Sequence, residues 1–306
     1  MDFGVFLPVS GRAALPDTLR DFTTQVEQWG FSAVWAADRI VVPWTIDTPY
    51  PYSVDNEFIV PPDRPFLEPL TVLAYLAGCT GSIRLGVSVV VMPYRHPLYW
   101  AKIATSIDRL SEGRLLLGVG VGWMREEFEA LDASFEERGA ISDEQLEILR
   151  RALHDDNVSF EGRFYTFGNV AFEPKATGRM PIWVGGEGKA ARRRTARYGD
   201  AWFPYFVRIT PEGLQQQFTE LVQLAEANGR DPSEIELCCC VPIEVTEEDV
   251  PQEPDRLRGS PDQLASAVAG FRDAGVKHLA LQFMVPRYPD RLAQIEPFAA
   301  EVMGAG

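Results

Sequence analysis

Three observations predict a (β/α)8 barrel. Short β-branched apolar runs alternate with helix-period segments along the whole chain. Eight such pairs can be counted, and no linker or shift of composition splits them into halves. No GxGxxG follows the first apolar run, which argues against the dinucleotide-binding form of a doubly wound sheet. The 306 residues exceed the roughly 250 of a typical barrel, so the chain reads as one domain over 1–306 carrying insertions after strands two and four.

The elements follow in order. Residues 3–7 form strand one. Leu15, Leu19, Phe22, Val26 and Trp29 then recur at helical spacing, closed by Gly30. Strand two is 33–36, followed by a helix over 69–79. The long run 83–92 suits a strand buried on both faces. A helix over 97–110 has Pro97 in its first turn and Gly113 beyond its end. Strand four is 115–121. Ser142-Asp143-Glu144-Gln145 matches a capping box and predicts a helix start there, and 160–165 reads as a surface hairpin. Strands at 181–184 and 200–204 enclose a helix over 189–198. Thr210-Pro211 opens a helix that ends at Gly229, and strand seven is 235–245. A second capping box, Ser260-Pro261-Asp262-Gln263, opens a helix to Gly275. Strand eight, 278–283, and a helix over 290–303 close the pattern.

Composition narrows the partners. The formal charge is −15, from 29 basic and 44 acidic residues, which repels nucleic acid and anionic lipid. No apolar stretch is long enough to span a membrane, and no basic, then apolar leader opens the chain, so a cytoplasmic address is expected. Cys238-Cys239-Cys240 alternate between strand faces and make a poor metal cage; they read as small buried strand residues, and no metal is expected. A homodimer is the expected assembly.

Glycine where strands end carries the functional signal. Gly118-Val119-Gly120-Val121-Gly122 clears one face of strand four, either for a flat ligand or for a bulky core neighbour. Gly185-Gly186-Glu187-Gly188 opens a helix, and backbone N–H groups there favour an anion such as phosphate. Lys189, Arg192, Arg193, Arg194 and Arg197 follow, either as ligands, Arg192 first, or as a solvated face. Ser88 interrupts an apolar strand and requires a partner or a function. Asp38-Arg39 and Arg95-His96 lie at strand ends, where barrel active sites form, and could bind a ligand or each other. The segment 40–66, after strand two, holds six prolines with Trp44, Tyr50, Tyr52 and Phe58 among them. It reads as a substrate lid, with an oligomer contact or a passive loop as alternatives. No HExxH, GxSxG or P-loop is present.

The chain resembles the luciferase-like monooxygenase superfamily, in its branch of coenzyme F420-dependent oxidoreductases. The resemblance runs from Met1 to about Gly275. It is carried by residues 3–8 (Phe3-Gly4-Val5-Phe6-Leu7-Pro8), 83–97 (Ile83 to Pro97), 110–123 (Leu110 to Trp123), 160–165, 181–186 and 198–202, in that order and spacing. It implies a TIM barrel with a flavin or deazaflavin at the C-terminal strand ends. By resemblance, Asp38 and a Ser88–Val89 bulge with a cis peptide line the tricyclic ring. Gly120 and Gly122 flank the ring or its chain, and Gly185, Gly186 and Gly188 receive the phosphate. The preferred cofactor is F420, with FMN the alternative, and the partner is a small organic molecule. Sugar-phosphate dehydrogenases of the family carry a histidine and a glutamate where this chain has Arg39 and Trp123, which cannot shuttle protons near neutral pH. Glu126, Glu127 and His96 remain as proton handlers, and Arg39 as a stabiliser of negative charge; Glu127 could equally be structural. An FMN monooxygenase and a non-catalytic flavin-binding barrel stay open as alternatives.

Overall fold

A computed structural model describes residues 1–304 except Ile59, Val207, Arg208 and Pro286. Eight parallel strands close one barrel: β1 (Asp2–Phe6), β2 (Ala33–Ala36), β3 (Arg84–Val91), β4 (Leu115–Gly120), β5 (Ile182–Gly185), β6 (Ala201–Phe203), β7 (Glu236–Val245) and β8 (His278–Phe283). Each pairs with the next, and β8 pairs back to β1 through Asp2 opposite His278. Every predicted strand forms within a residue or two of its expected bounds. A short strand, Leu257–Gly259, pairs in parallel with the last residues of β7, Ile243 to Val245, and was too brief to show as a pattern.

The helices surround the barrel because their apolar stripes need the outer faces of β-branched strands. Thr210 and Ser260 cap as expected, accepting from the N–H of Gly213 and Gln263. The box at Ser142 does not. That helix begins a turn earlier (Arg138–His154), and Ser142 lies buried inside it, donating to the Arg138 carbonyl at 2.7 Å. Gln145 is buried too, where its side chain ties Trp100 Nε1, the Arg95 carbonyl and Tyr165 Oη together. The hairpin forms from Val158–Glu161 and Thr166–Val170, its turn held by Glu144, which accepts from three successive N–H groups, Arg163 to Tyr165.

The barrel is plugged by Trp35, Trp183, Phe203 and His278. Trp35 lies 5.0 Å from Trp183 and 4.9 Å from Phe203, centroid to centroid, and its Nε1 donates to His278 Nε2 at 3.1 Å. Gly4 and Gly86 yield the space: a Cβ on either would stand within 2.4 Å of the Trp35 ring. Cys238 and Cys240 join this plug while Cys239 faces the outer shell, as strand alternation requires. The plug is the floor on which the site rests. Among the described residues, no helix is long and apolar enough to cross a membrane.

Candidate active site

A cavity of about 1340 Å³ opens at the C-terminal strand ends, roofed by part of the 40–66 segment. Pockets for single ligands are usually about 300–1,000 Å³, so this one has room for a cofactor and a substrate together. The roof is aromatic. Tyr50 packs 5.0 Å from Trp123 and 5.4 Å from Phe58, and Tyr52 lies 5.0 Å from Tyr205. Glu126 anchors this segment by accepting from the N–H groups of Asp47 and Thr48 at 2.8 and 2.9 Å.

On the floor, the ladder between β3 and β4 shifts register between Val87 and Val90, and the Ser88–Val89 peptide is cis. Ser88 and Val89 both line the cavity. Three glycines make way for the bulge. A Cβ on Gly118 would lie 2.0 Å from the Val87 carbonyl oxygen. One on Gly120 would lie 2.4 Å, and one on Gly185 3.0 Å, from a Val89 methyl. The glycine row therefore serves a core neighbour, and that neighbour is itself a wall of the cavity. Gly122, at φ +81°, lines the cavity where β4 turns away.

Asp38 and Arg39 do not pair with each other: each meets a charge from another strand end or helix. Asp38 takes a bidentate bond from Arg95 at 2.7 and 2.8 Å and accepts from the Val91 N–H at 2.9 Å. It lines the cavity with its carboxylate already engaged. Arg39 pairs with Glu127 while its guanidinium lies 5.0 Å from the Phe58 ring and 5.4 Å from Trp123. Glu127 also accepts from the N–H of Ile40 (2.7 Å) and Val41 (3.2 Å) and from Tyr94 Oη (3.0 Å). Two sequence expectations are corrected here. Glu127 is fully buried outside the cavity, an anchor for the start of the 40–66 segment rather than a proton handler. His96 is an exposed residue at a helix start, edge-on to Tyr165, and does not reach the cavity.

Gly185 and Gly186 line the cavity, and Gly188 starts the helix Lys189–Tyr198. Gly186 sits at φ +111° with its carbonyl bonded to Trp202 Nε1, so any side chain there is strained whatever binds. Gly188 has φ −76° and open space around its Cβ position. Arg192 is a third correction. It turns away from the cavity into the groove beside the helix Pro211–Ala227, bonded to the Glu187 carbonyl, Gln217 and Glu220. Arg194 is likewise held by Asp143 at 2.6 Å.

The side chain the sequence reading passed over is Glu187, taken only as a spacer among glycines. It lines the cavity, and its Oε1 accepts from the Tyr205 N–H at 2.9 Å. No basic side chain pairs with it among the described residues. Burial pushes its carboxyl up from the ordinary value. A carboxyl inside an apolar strand-end loop was the available signal. Arg12, Arg64, Arg287 and Arg291 also line the cavity, toward its mouth.

The model of the luciferase-like monooxygenase family matches residues 1–252. The chain belongs to this family. Within it, the phthiodiolone/phenolphthiodiolone dimycocerosates ketoreductase of Mycobacterium tuberculosis is 32% identical over 240 residues, 75% of this chain and 62% of that protein. The fold is similar to that of monooxygenase RslO1 from Streptomyces bottropensis (TM-score 0.78, 22% identity, 99% of each chain). It is equally similar to an F420-dependent secondary alcohol dehydrogenase in complex with an F420–acetone adduct (TM-score 0.79, 16% identity, 100% of this chain and 99% of that one). This luciferase-like barrel thus has the large C-terminal cavity that the sequence resemblance implies. Its floor of Val89 and glycine is flat and apolar, and the adjacent glycine loop opens a helix; both features fit a tricyclic ring with a phosphate-bearing chain.

Proposed function

We propose that this luciferase-like oxidoreductase transfers a hydride between coenzyme F420 and the carbonyl carbon of a small organic substrate. The observation that carries the reading is the glycine-cleared floor around Val89 beneath a cavity large enough for two ligands. A ketoreductase relative and an alcohol dehydrogenase of the same fold both act on a carbon–oxygen bond, which supports the carbonyl class. The preference for F420 over FMN rests on the mouth. Arg12 and Arg291 hold no ion pair among the described residues, and Arg64 and Arg287 hold only loose ones at 3.8 and 3.6 Å. Free cations in a chain of charge −15 suit an acidic tail, the role first given to the basic helix.

When bound, the deazaflavin supplies or accepts the hydride. The chain does the rest. Val89, Gly120 and Gly185 shape the surface for the ring, and the Gly186–Gly188 backbone receives the phosphate. Asp38, locked by Arg95, fixes the rim beside the bulge. Arg39, held by Glu127 between two aromatic rings, keeps positive charge near the cavity for a developing alkoxide. Tyr50, Tyr52, Phe58 and Trp123 form a lid that excludes water. The exposed Trp44 on the same segment suits a contact in a homodimer.

Equilibrium binding of F420 and FMN at two salt concentrations tests the reading. F420 should bind more tightly and weaken with salt. Tighter FMN binding, insensitive to salt, would favour the oxygen-using monooxygenase.

A further inference from the structure

Carbonyl reduction needs a proton at oxygen as well as a hydride at carbon. The three proton handlers that the sequence puts forward are committed elsewhere. Glu127 is buried against Arg39, Tyr94 and two N–H groups, Glu126 holds the 40–66 segment, and His96 lies outside. Five carboxyls line the cavity. Asp38 is bound by Arg95, Asp255 lies 3.6 Å from Arg256, and Asp55 and Glu57 are exposed. Glu187 is different. It sits at the end of β5 beside the Val89 floor, below the tyrosine roof, held by backbone N–H groups alone and, among the described residues, with no cation.

We propose that Glu187 is the proton donor of this cavity, giving its carboxyl proton to the substrate's carbonyl oxygen during reduction and taking it back during alcohol oxidation. The inference rests on the carbonyl-reduction reading above. In reduction the C=O π bond breaks and the deazaflavin's hydride forms the new C–H bond. The Glu187 proton forms the O–H bond, the reduced deazaflavin becomes oxidised, and the carboxylate regains a proton from water at the mouth.

The surroundings favour this role. Among the described residues, Tyr50 and Tyr52 from the roof, Tyr205 after β6, and Cys240 on β7 with Cys239 behind it are the titratable groups around Glu187. Burial raises all of them, so they add no charge near neutral pH. Arg192 reaches Glu187 through its backbone carbonyl and pairs with Glu220, not with the Glu187 carboxyl. The carboxyl therefore stays protonated to higher pH than an exposed glutamate, where an acid catalyst is needed.

The test compares wild type with Glu187→Gln and Glu187→Asp. Each is loaded with reduced F420 and mixed with acetone, cyclohexanone or acetophenone. Glu187→Gln should keep F420 affinity and lose about 10²–10⁴-fold in rate, the usual worth of a positioned acid. Wild-type rate should fall as pH rises through one ionisation, a limb absent from Glu187→Gln, and Glu187→Asp should recover part of the rate. Infrared spectra without cofactor should show a protonated-carboxyl stretch that persists to higher pH than an exposed glutamate allows and that Glu187→Gln lacks. A Glu187→Gln rate equal to wild type, or no such band in wild type, overturns the proposal alone. A wild type that oxidises no reduced F420 with any of the ketones overturns the function reading, and the proposal with it.

Discussion

The rim above β2–β4 and the rim above β5–β7 handle buried charge in opposite ways. In the first, Asp38 and Glu127 each carry an arginine and further N–H or O–H donors. In the second, Glu187 carries only backbone N–H bonds among the described residues and faces the cavity among uncharged phenols and thiols. A fully partnered carboxylate is fixed in one protonation state and one place; it builds a wall. A carboxyl held by backbone N–H groups alone can exchange a proton. The conspicuous carboxylates of this chain are thus scaffold, and the inconspicuous one is free for chemistry.

Breaking the first rim should give the largest effect. Glu127→Ala leaves the Arg39 charge buried and strips Ile40, Val41 and Tyr94 of their acceptor. Loss of one partner of a buried pair costs about 3–5 kcal/mol, read as a lower denaturant midpoint. A loss below about 1 kcal/mol would show that this rim does not depend on the pair.

The floor between the two rims comes next. Gly118→Ala must displace the Val87 carbonyl, and overpacking of that kind costs about 1–3 kcal/mol. Cofactor affinity should fall as well, because the displaced strand carries Ser88 and Val89. Unchanged binding in a folded variant would separate the bulge from the cofactor.

Gly188→Val sharpens the second rim. Gly186 cannot serve, since its φ of +111° strains any side chain, but Gly188 has ordinary φ and free space. Stability should change by less than about 0.5 kcal/mol, as for most unobstructed sites. Cofactor affinity should drop if the phosphate uses this loop, and calorimetric titration of F420 decides it.

The smallest effect concerns pH. Burial raises the folded Glu187 carboxyl above its unfolded value. Between those two values the folded state binds more protons, so stability falls as pH rises through that window and levels above it. Glu187→Gln lacks this slope. Its melting temperature should therefore gain on wild type from acid to neutral pH, and parallel curves would place Glu187 in an ordinary solvated environment.

Sequence alone determined the eight strands, most of the helices and the rim on which the site lies. These depend on periodicities of two and 3.6 residues, which are local, and on glycines at strand ends. It also marked Ser88, and through resemblance the cis bond after it. It misjudged Ser142, because a capping box inside a helix reads the same as one at its start, and only packing places the preceding turn. Tertiary structure decided what the charges do. Arg39 meets Glu127 across 88 positions of chain, Asp38 meets Arg95 across 57, and Arg192 finds Glu220 on the next helix. An ion pair has no sequence period; it depends on which loops the closed barrel brings together. The same closure left Glu187 without a cation among the described residues, and that too is a property of its neighbours in space rather than in sequence.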